Sequence, residues 1–169
     1  MVDLSAPWTF EWDDLSWVLM AEVWAYHRAH ADRHSLYREQ VAEFIEAARS
    51  FTDAQAYLAA QLRRAEGTQK WEQWFAEHAV DVVLEPTLPI LPLARGVGYD
   101  REHPAGPGDP MIALTALWDM TGMPVVSLPV SWSVGVSLVA PRGQEAAVTQ
   151  VAIDLQEHAL GIPGDPARR

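Results

Sequence analysis

Cysteine is absent from the chain. That excludes disulfides, thiolate zinc sites and cysteine nucleophiles, and it fits a reducing, cytoplasmic setting. Lysine is nearly as scarce, with Lys70 the single example. Basic residues number 12 against 23 acidic ones, for a formal net charge of -11. A chain of that sign repels phosphate backbones and anionic bilayers, so neither nucleic acid nor a membrane is expected as a partner. No apolar run is long enough to span a bilayer. The charged residues among the first twenty are Asp3, Glu11, Asp13 and Asp14. A secretory leader needs a positive start, so none is expected.

What remains is ordinary globular material. Hydrophobic residues make up 49% of 169 and charged residues 21%, enough for one domain with a core. The reading is a single domain over 1–169, helical over 1–80 and mixed over 81–160. Trp17, Met20, Ala21 and Trp24 recur at helical spacing between Asp14 and Ala31. Val41, Phe44, Ile45 and Ala48 do so between Ser35 and Ala48. Thr52 is the expected N-cap of a third helix, with Gln55 completing a capping box and Phe51 in the staple position. That helix carries Trp71, Trp74, Phe75 and His78 on one face. Gly67 lies in its middle, costs about 1 kcal/mol relative to alanine, and marks an expected kink or break.

Asp81 to Leu84 reads as a short strand stopped by Pro86 and Pro89. Residues 85–108 are rich in proline and glycine and read as a loop. Asp109 and Pro110 open a helix with Leu114, Leu117 and Trp118 inward, closed by Gly122 and Pro124. Val125 to Leu128 and Val134 to Val139 are strands. Gln144 to Leu160 is a helix with Val148, Val151, Ala152 and Leu155 inward, ended by Gly161 and Pro163. The order implies an α/β architecture in which helices pack on a small mixed sheet. Three short strands make a poor independent sheet.

The segment Asp81 to Glu157 resembles the C-terminal region of the amidase-signature family. The residues that carry the resemblance are Asp81-Val82-Val83-Leu84-Glu85-Pro86-Thr87-Leu88-Pro89 and Trp118-Asp119-Met120-Thr121-Gly122-Met123-Pro124-Val125-Val126-Ser127-Leu128-Pro129. The strand Val134-Gly135-Val136 and the helix Gln144 to Glu157 follow in the family's order. Upstream, Ala56-Tyr57-Leu58-Ala59-Ala60 with Arg63 and Arg64 is similar to the family's tyrosine- and arginine-bearing helix. The likeness covers roughly residues 35 to 160 and implies a partial amidase-signature fold.

Three departures stand out. Asp119 replaces the usual asparagine, Ser137 replaces a common glutamine, and Val130-Ser131-Trp132-Ser133 replaces the Gly-Leu-Pro turn. The resemblance also implies a serine nucleophile, a bridging serine and a lysine base in the family's N-terminal half. No Gly-Ser-Ser-Gly-Gly run occurs here, and Lys70 lies in a helical stretch without the expected serines. No catalytic residue is therefore assigned. The family implies no cofactor. Thr87, Trp118 and Asp119 are the expected substrate-binding residues, forming part of a pocket wall for a small amide in the company of the N-terminal half. For Asp119, capping or bridging near a helix end is the plainer alternative.

Other groupings have two readings each. His27, His30 and His34 could share a helix face and take a metal, with Glu22 or Asp32 joining. Closed sites usually recruit a second element, so a polar helix face is the preferred reading and no metal is expected. Ser127, Ser131, Ser133 and Ser137 with Asp154 and His158 could form a nucleophilic triad. Without a Gly-x-Ser-x-Gly elbow they read as ordinary strand serines. Five of the eight tryptophans fall on apolar helical faces, whereas Trp8, Trp12 and Trp132 could cover an interface. Two functions follow: the C-terminal part of an amidase, inactive alone, from a truncated or split gene, or a non-enzymatic interaction protein on the same half-fold. Either one leaves a strand edge and an apolar face open to a partner chain or to self-association.

Overall fold

A computed structural model describes residues 5–92, 110–131 and 134–158. They form α1 (Trp12–His27), a 3-10 segment (Arg28–Leu36), α2 (Glu39–Ala48), α3 (Ala54–His78), β1 (Val83–Pro86), α4 (Ala116–Thr121), β2 (Val125–Ser131), β3 (Val134–Val139) and α5 (Glu145–His158). The chain divides into two compact units, Thr9–Gly67 and a second made of Met1–Trp8 with Thr68–Arg169.

The first unit is helical. On α1, Asp14 and Val18 are buried one turn apart, while the expected stripe of Trp17, Met20, Ala21 and Trp24 is only half-buried. Burying a carboxylate requires a partner. Arg63 Nε supplies one, donating to Oδ1 and Oδ2 of Asp14 at 2.8 and 2.7 Å, with Nη2 completing the fork. Hydrogen bonding to Asp14 in turn raises the already high pKa of Arg63. Trp17 meets Phe51 edge-on at 4.9 Å, and Arg49 lies over the Trp24 ring at 5.9 Å. On α2, Ile45 and Ala48 are buried, whereas Val41 and Phe44 remain exposed.

Two local expectations change here. The N-cap of α3 is Asp53, not Thr52: Asp53 Oδ1 accepts from the backbone N–H of Gln55 at 2.8 Å and of Ala56 at 3.3 Å. A carboxylate at this position also complements the helix dipole, which a threonine does not. Nor does Gly67 break α3, which runs as one helix of 25 residues. Gly67 is buried, and its propensity cost is small beside the tertiary burial along such a helix.

The helix ends in a paired closure. Ala79 takes a left-handed φ of 49°. Its N–H reaches the Ala76 carbonyl, and the Val80 N–H reaches that of Phe75, as in a Schellman motif with alanine where glycine is usual.

The second unit holds the sheet. Its order is β1-β3-β2, and both pairings, expected to be mixed, are antiparallel. The central place of β3 follows from proline. Pro86 ends β1 and Pro129 lies in β2, where each lacks a ladder donor, so both strands suit edges. The unpaired residue between Pro129 and Ser131 makes a bulge in β2. Among the described residues, neither β1 nor β2 has a second strand beside it.

Alternation along β3 gives the sheet two apolar faces. Val139 joins Trp71, Phe75, Trp118 and Met123 in one cluster, with Trp8, Trp74, Val80 and Val83 around it. Leu138 joins Leu128, Ala140, Val148 and Ala152 in the other, against α5. On α5 itself, Val151 is exposed while Val148 and Ala152 are buried. The helix expected from Asp109 is shorter. Residues 110–115 are turns and the α-helix begins at Ala116; Asp109 lies outside the described residues. Gly122 closes it as expected, with φ 66° and its N–H on the Trp118 carbonyl. The loop over 93–108 and the C-terminal Gly161 and Pro163 also lie outside them.

Replacing Asp53 with alanine should lower unfolding free energy by about 1 kcal/mol. Thr52→Ala should cost a few tenths at most. Urea unfolding followed by circular dichroism measures both, and the reverse ranking would restore Thr52 as the cap.

Candidate functional site

Strand register places three polar side chains in one row on the sheet. Glu85 of β1 stands opposite Ser137 of β3, which stands opposite Ser127 of β2. With a period of two, this row shares its face with the apolar row Val83, Val139 and Val125. Thr87, just past β1, comes down on the same side. Its N–H extends the ladder to the Gly135 carbonyl at 3.0 Å. Its side chain lies over Gly135, where an added Cβ would come within 3.1 Å of Thr87 Oγ1. Glycine at 135 therefore makes room for the threonine.

The three hydroxyls form a chain. Ser137 Oγ donates to Thr87 Oγ1 at 3.0 Å, and Thr87 Oγ1 lies 2.9 Å from Ser127 Oγ. Ser137 is buried and Ser127 exposed, so the chain runs from the core to the surface. It opens on a cleft of about 270 Å3 walled by Pro86 to Leu91, Ser127, Val134 and Gly135. A second hollow of about 330 Å3 continues past Ser127 along Pro129, Ser131, Val134 and Gly135.

At the row's other end, the indole Nε1 of Trp118 donates to Glu85 Oε1. Burial pushes the Glu85 carboxyl above its usual range, and the indole hydrogen bond pulls it partly back. Of the expected binding residues, Thr87 lines the cleft, whereas Trp118 and Asp119 do not. Trp118 is buried against Trp71 at 4.9 Å, and Asp119 faces outward on α4. Sequence reasoning missed Glu85. Its one signal was an acid in the apolar run Val82-Val83-Leu84 ahead of Pro86.

The other groupings resolve differently. The serines do not form the triad that chain order allowed: Ser127 and Ser137 bond to Thr87, and Asp154, on α5, accepts from Gln150. Ser133 and Trp132 lie outside the described residues, as does the side chain of His158. The three histidines do not share one α-helical face. α1 ends at His27, and His30 breaks the 3-10 segment with φ -117° and ψ 26°. His27 Nδ1 pairs with the Tyr37 hydroxyl at 2.8 Å, and His34 Nε2 with the His27 carbonyl at 3.1 Å. Glu22 accepts from Tyr57 and Gln61 instead, and Asp32 lies beside Arg33. Among the described residues no group of three acidic or imidazole side chains could hold a metal ion. Trp8 packs on the Trp71 cluster and its carbonyl accepts from Trp71 Nε1; Trp12 meets Phe10 edge-on.

The sequence model of the amidase family matches residues 20–149; the chain belongs to the amidase-signature family. Solved structures agree on the fold. An amidase is 20% identical with a TM-score of 0.73, covering 86% of this chain and 35% of its own. A chain from a vestigial complex that reveals the origins of an s-triazine catabolic enzyme is also 20% identical, TM-score 0.72, with 88% and 34% covered. A 6-aminohexanoate cyclic dimer hydrolase is 23% identical, TM-score 0.64, with 88% and 34% covered. The chain thus spans about a third of the length of these structures. No curated protein matches it. Among the described residues, no helix is long and apolar enough to cross a membrane.

Two outcomes are expected. Glu85 titrates above its model value of 4.5 in the folded state, so its ionisation opposes folding. That cost is absent at pH below the unfolded value and accrues as pH rises through the folded one. Glu85→Gln keeps an acceptor for Trp118 and removes the charge. Its melting temperature should equal or exceed wild type at neutral pH, with the difference vanishing in acid; a lower neutral value would show that the charge itself is needed. Second, zinc or EDTA should leave the wild-type melting temperature unchanged, because a metal held only by the folded state would raise it. A zinc-dependent rise lost in His30→Ala would contradict this.

Proposed function

We propose that this chain is the C-terminal part of an amidase that hydrolyses carboxamide C–N bonds, and that it is inactive alone. In the complete enzyme a serine attacks the carbonyl, the amine or ammonia leaves with a proton, and water hydrolyses the seryl ester. Amide resonance makes the first step slow without an activated alkoxide, a general acid and oxyanion donors. The 169 residues hold one lysine and no Gly-Ser-rich run, and Lys70 is exposed on α3. In this reading the nucleophile and base come from residues outside these 169, and the chain contributes packing and one wall of the pocket. The observation that carries the proposal is the family match over residues 20–149 at about a third of the relatives' length.

A second reading, a non-enzymatic interaction protein on the same half-fold, draws on the strand edges. Leu84 on β1 and Val125 on β2 are 56% and 41% exposed, beside edges that are templates for pairing. In both readings the chain associates with a partner chain or with itself, works in the cytoplasm and uses no cofactor.

The purified chain should hydrolyse no aliphatic or aryl amide above background. Joined to a Gly-Ser-rich segment encoded immediately upstream, it should gain activity. Turnover by the lone chain that survives EDTA and disappears in Ser127→Ala or Ser131→Ala would overturn the proposal. A complete, unrelated gene upstream would favour the interaction protein.

A further inference from the structure

We infer that Ser127 presents a hydroxyl donor to the carbonyl oxygen of an uncharged, apolar-bodied carboxamide seated in the cleft beside the Pro86–Leu91 turn. The inference deepens the amidase reading and rests on it for the choice of ligand.

The direction of the hydroxyl chain carries the argument. Ser137 is 2% exposed, and its proton goes to Thr87 Oγ1. Thr87 has one hydroxyl proton, and the acceptor within reach is Ser127 Oγ at 2.9 Å. With Thr87 donating, Ser127 Oγ is already an acceptor. A hydroxyl carries one proton and two lone pairs, so the Ser127 proton is left for the cleft. Chained hydroxyls also polarise one another, which makes the terminal proton a better donor than an isolated serine.

The lining selects the rest of the ligand. Pro86, Leu88, Pro89, Ile90, Leu91 and Val134 give an apolar wall, suited to a hydrocarbon or aromatic body. No lysine, arginine or histidine lines the cleft, and the chain carries a net charge of -11. A carboxylate would lie there without a counter-charge, whereas a neutral carbonyl needs one donor only. Gly135 makes the arrangement possible, because a side chain there would crowd the Thr87 hydroxyl.

The test is an NMR titration of the full chain, 15N-labelled, with benzamide, benzoate and acetamide. Benzamide should shift the Ser127, Val134 and Gly135 amides saturably. Benzoate and acetamide should each bind at least about tenfold more weakly, for want of a counter-charge and of apolar surface. Ser127→Ala should weaken benzamide about fivefold, the worth of one hydrogen bond. Ser127→Thr keeps the hydroxyl and should retain most of the binding. Ser127 is exposed, and unchanged amide spectra away from the cleft would show each variant folded. No saturable shift at these residues, benzoate binding as tightly as benzamide, or full affinity in Ser127→Ala would each overturn the inference. The assay reads binding without turnover. Ser127-dependent binding in a protein that gains no activity with its upstream segment would sink the amidase reading alone. An active assembly indifferent to Ser127→Ala would sink this inference alone.

Discussion

The buried indole of Trp118 joins the elements of the sheet-bearing unit. One edge packs against Trp71 of α3, and its N–H holds Glu85 at the end of β1. The ring thereby serves as core and as polar anchor at once, a use that large amphipathic side chains permit. Removing the indole would open a large cavity beside Val139 and leave a half-buried carboxyl without its donor. Position 118 therefore couples the apolar interior to the row Glu85, Ser137 and Ser127, although it never reaches the cleft.

That row also shows how a three-stranded sheet can expose polar chemistry without forfeiting a core. Each strand crosses from an apolar position to a polar one within two residues, as in Val83 to Glu85 and Val139 to Ser137. The core thus ends along a straight line across the sheet. Beyond it the backbone continues as the floor of a surface cleft. Proline in both outer strands keeps β3 central, so the serine with the deepest burial lies between the other two hydrogen-bonding positions.

Much of this was legible in the sequence, because hydrophobic periodicity and proline position decide where elements lie. All three strands and the closure at Gly122 follow from those two signals. The failures have local causes. Asp53 displaced Thr52 as the cap because two adjacent residues could both accept, and a charged acceptor wins at a helix N-terminus. Gly67 did not interrupt α3 because a per-residue propensity is overruled by burial along 25 residues. The histidine spacing misled because it presumes one continuous helix, and α1 tightens into 3-10 geometry after His27. Thr87 was found from its place in a family motif. Its partners Ser127 and Ser137 and the acid Glu85 were not, since cross-strand neighbours depend on register, and register is a property of the folded sheet.

The exit from α3 has a bearing on the cleft. Alanine in a left-handed conformation lacks glycine's freedom and pays about 1 kcal/mol for the turn. The chain turns there because Val80 is drawn into the cluster around Phe75, closing the pair of hydrogen bonds behind it. β1 begins three residues later, so its starting direction is inherited from a hydrophobic grip, not from backbone preference. The Thr87 hydroxyl is aimed, in effect, by a valine seven residues upstream that never touches it.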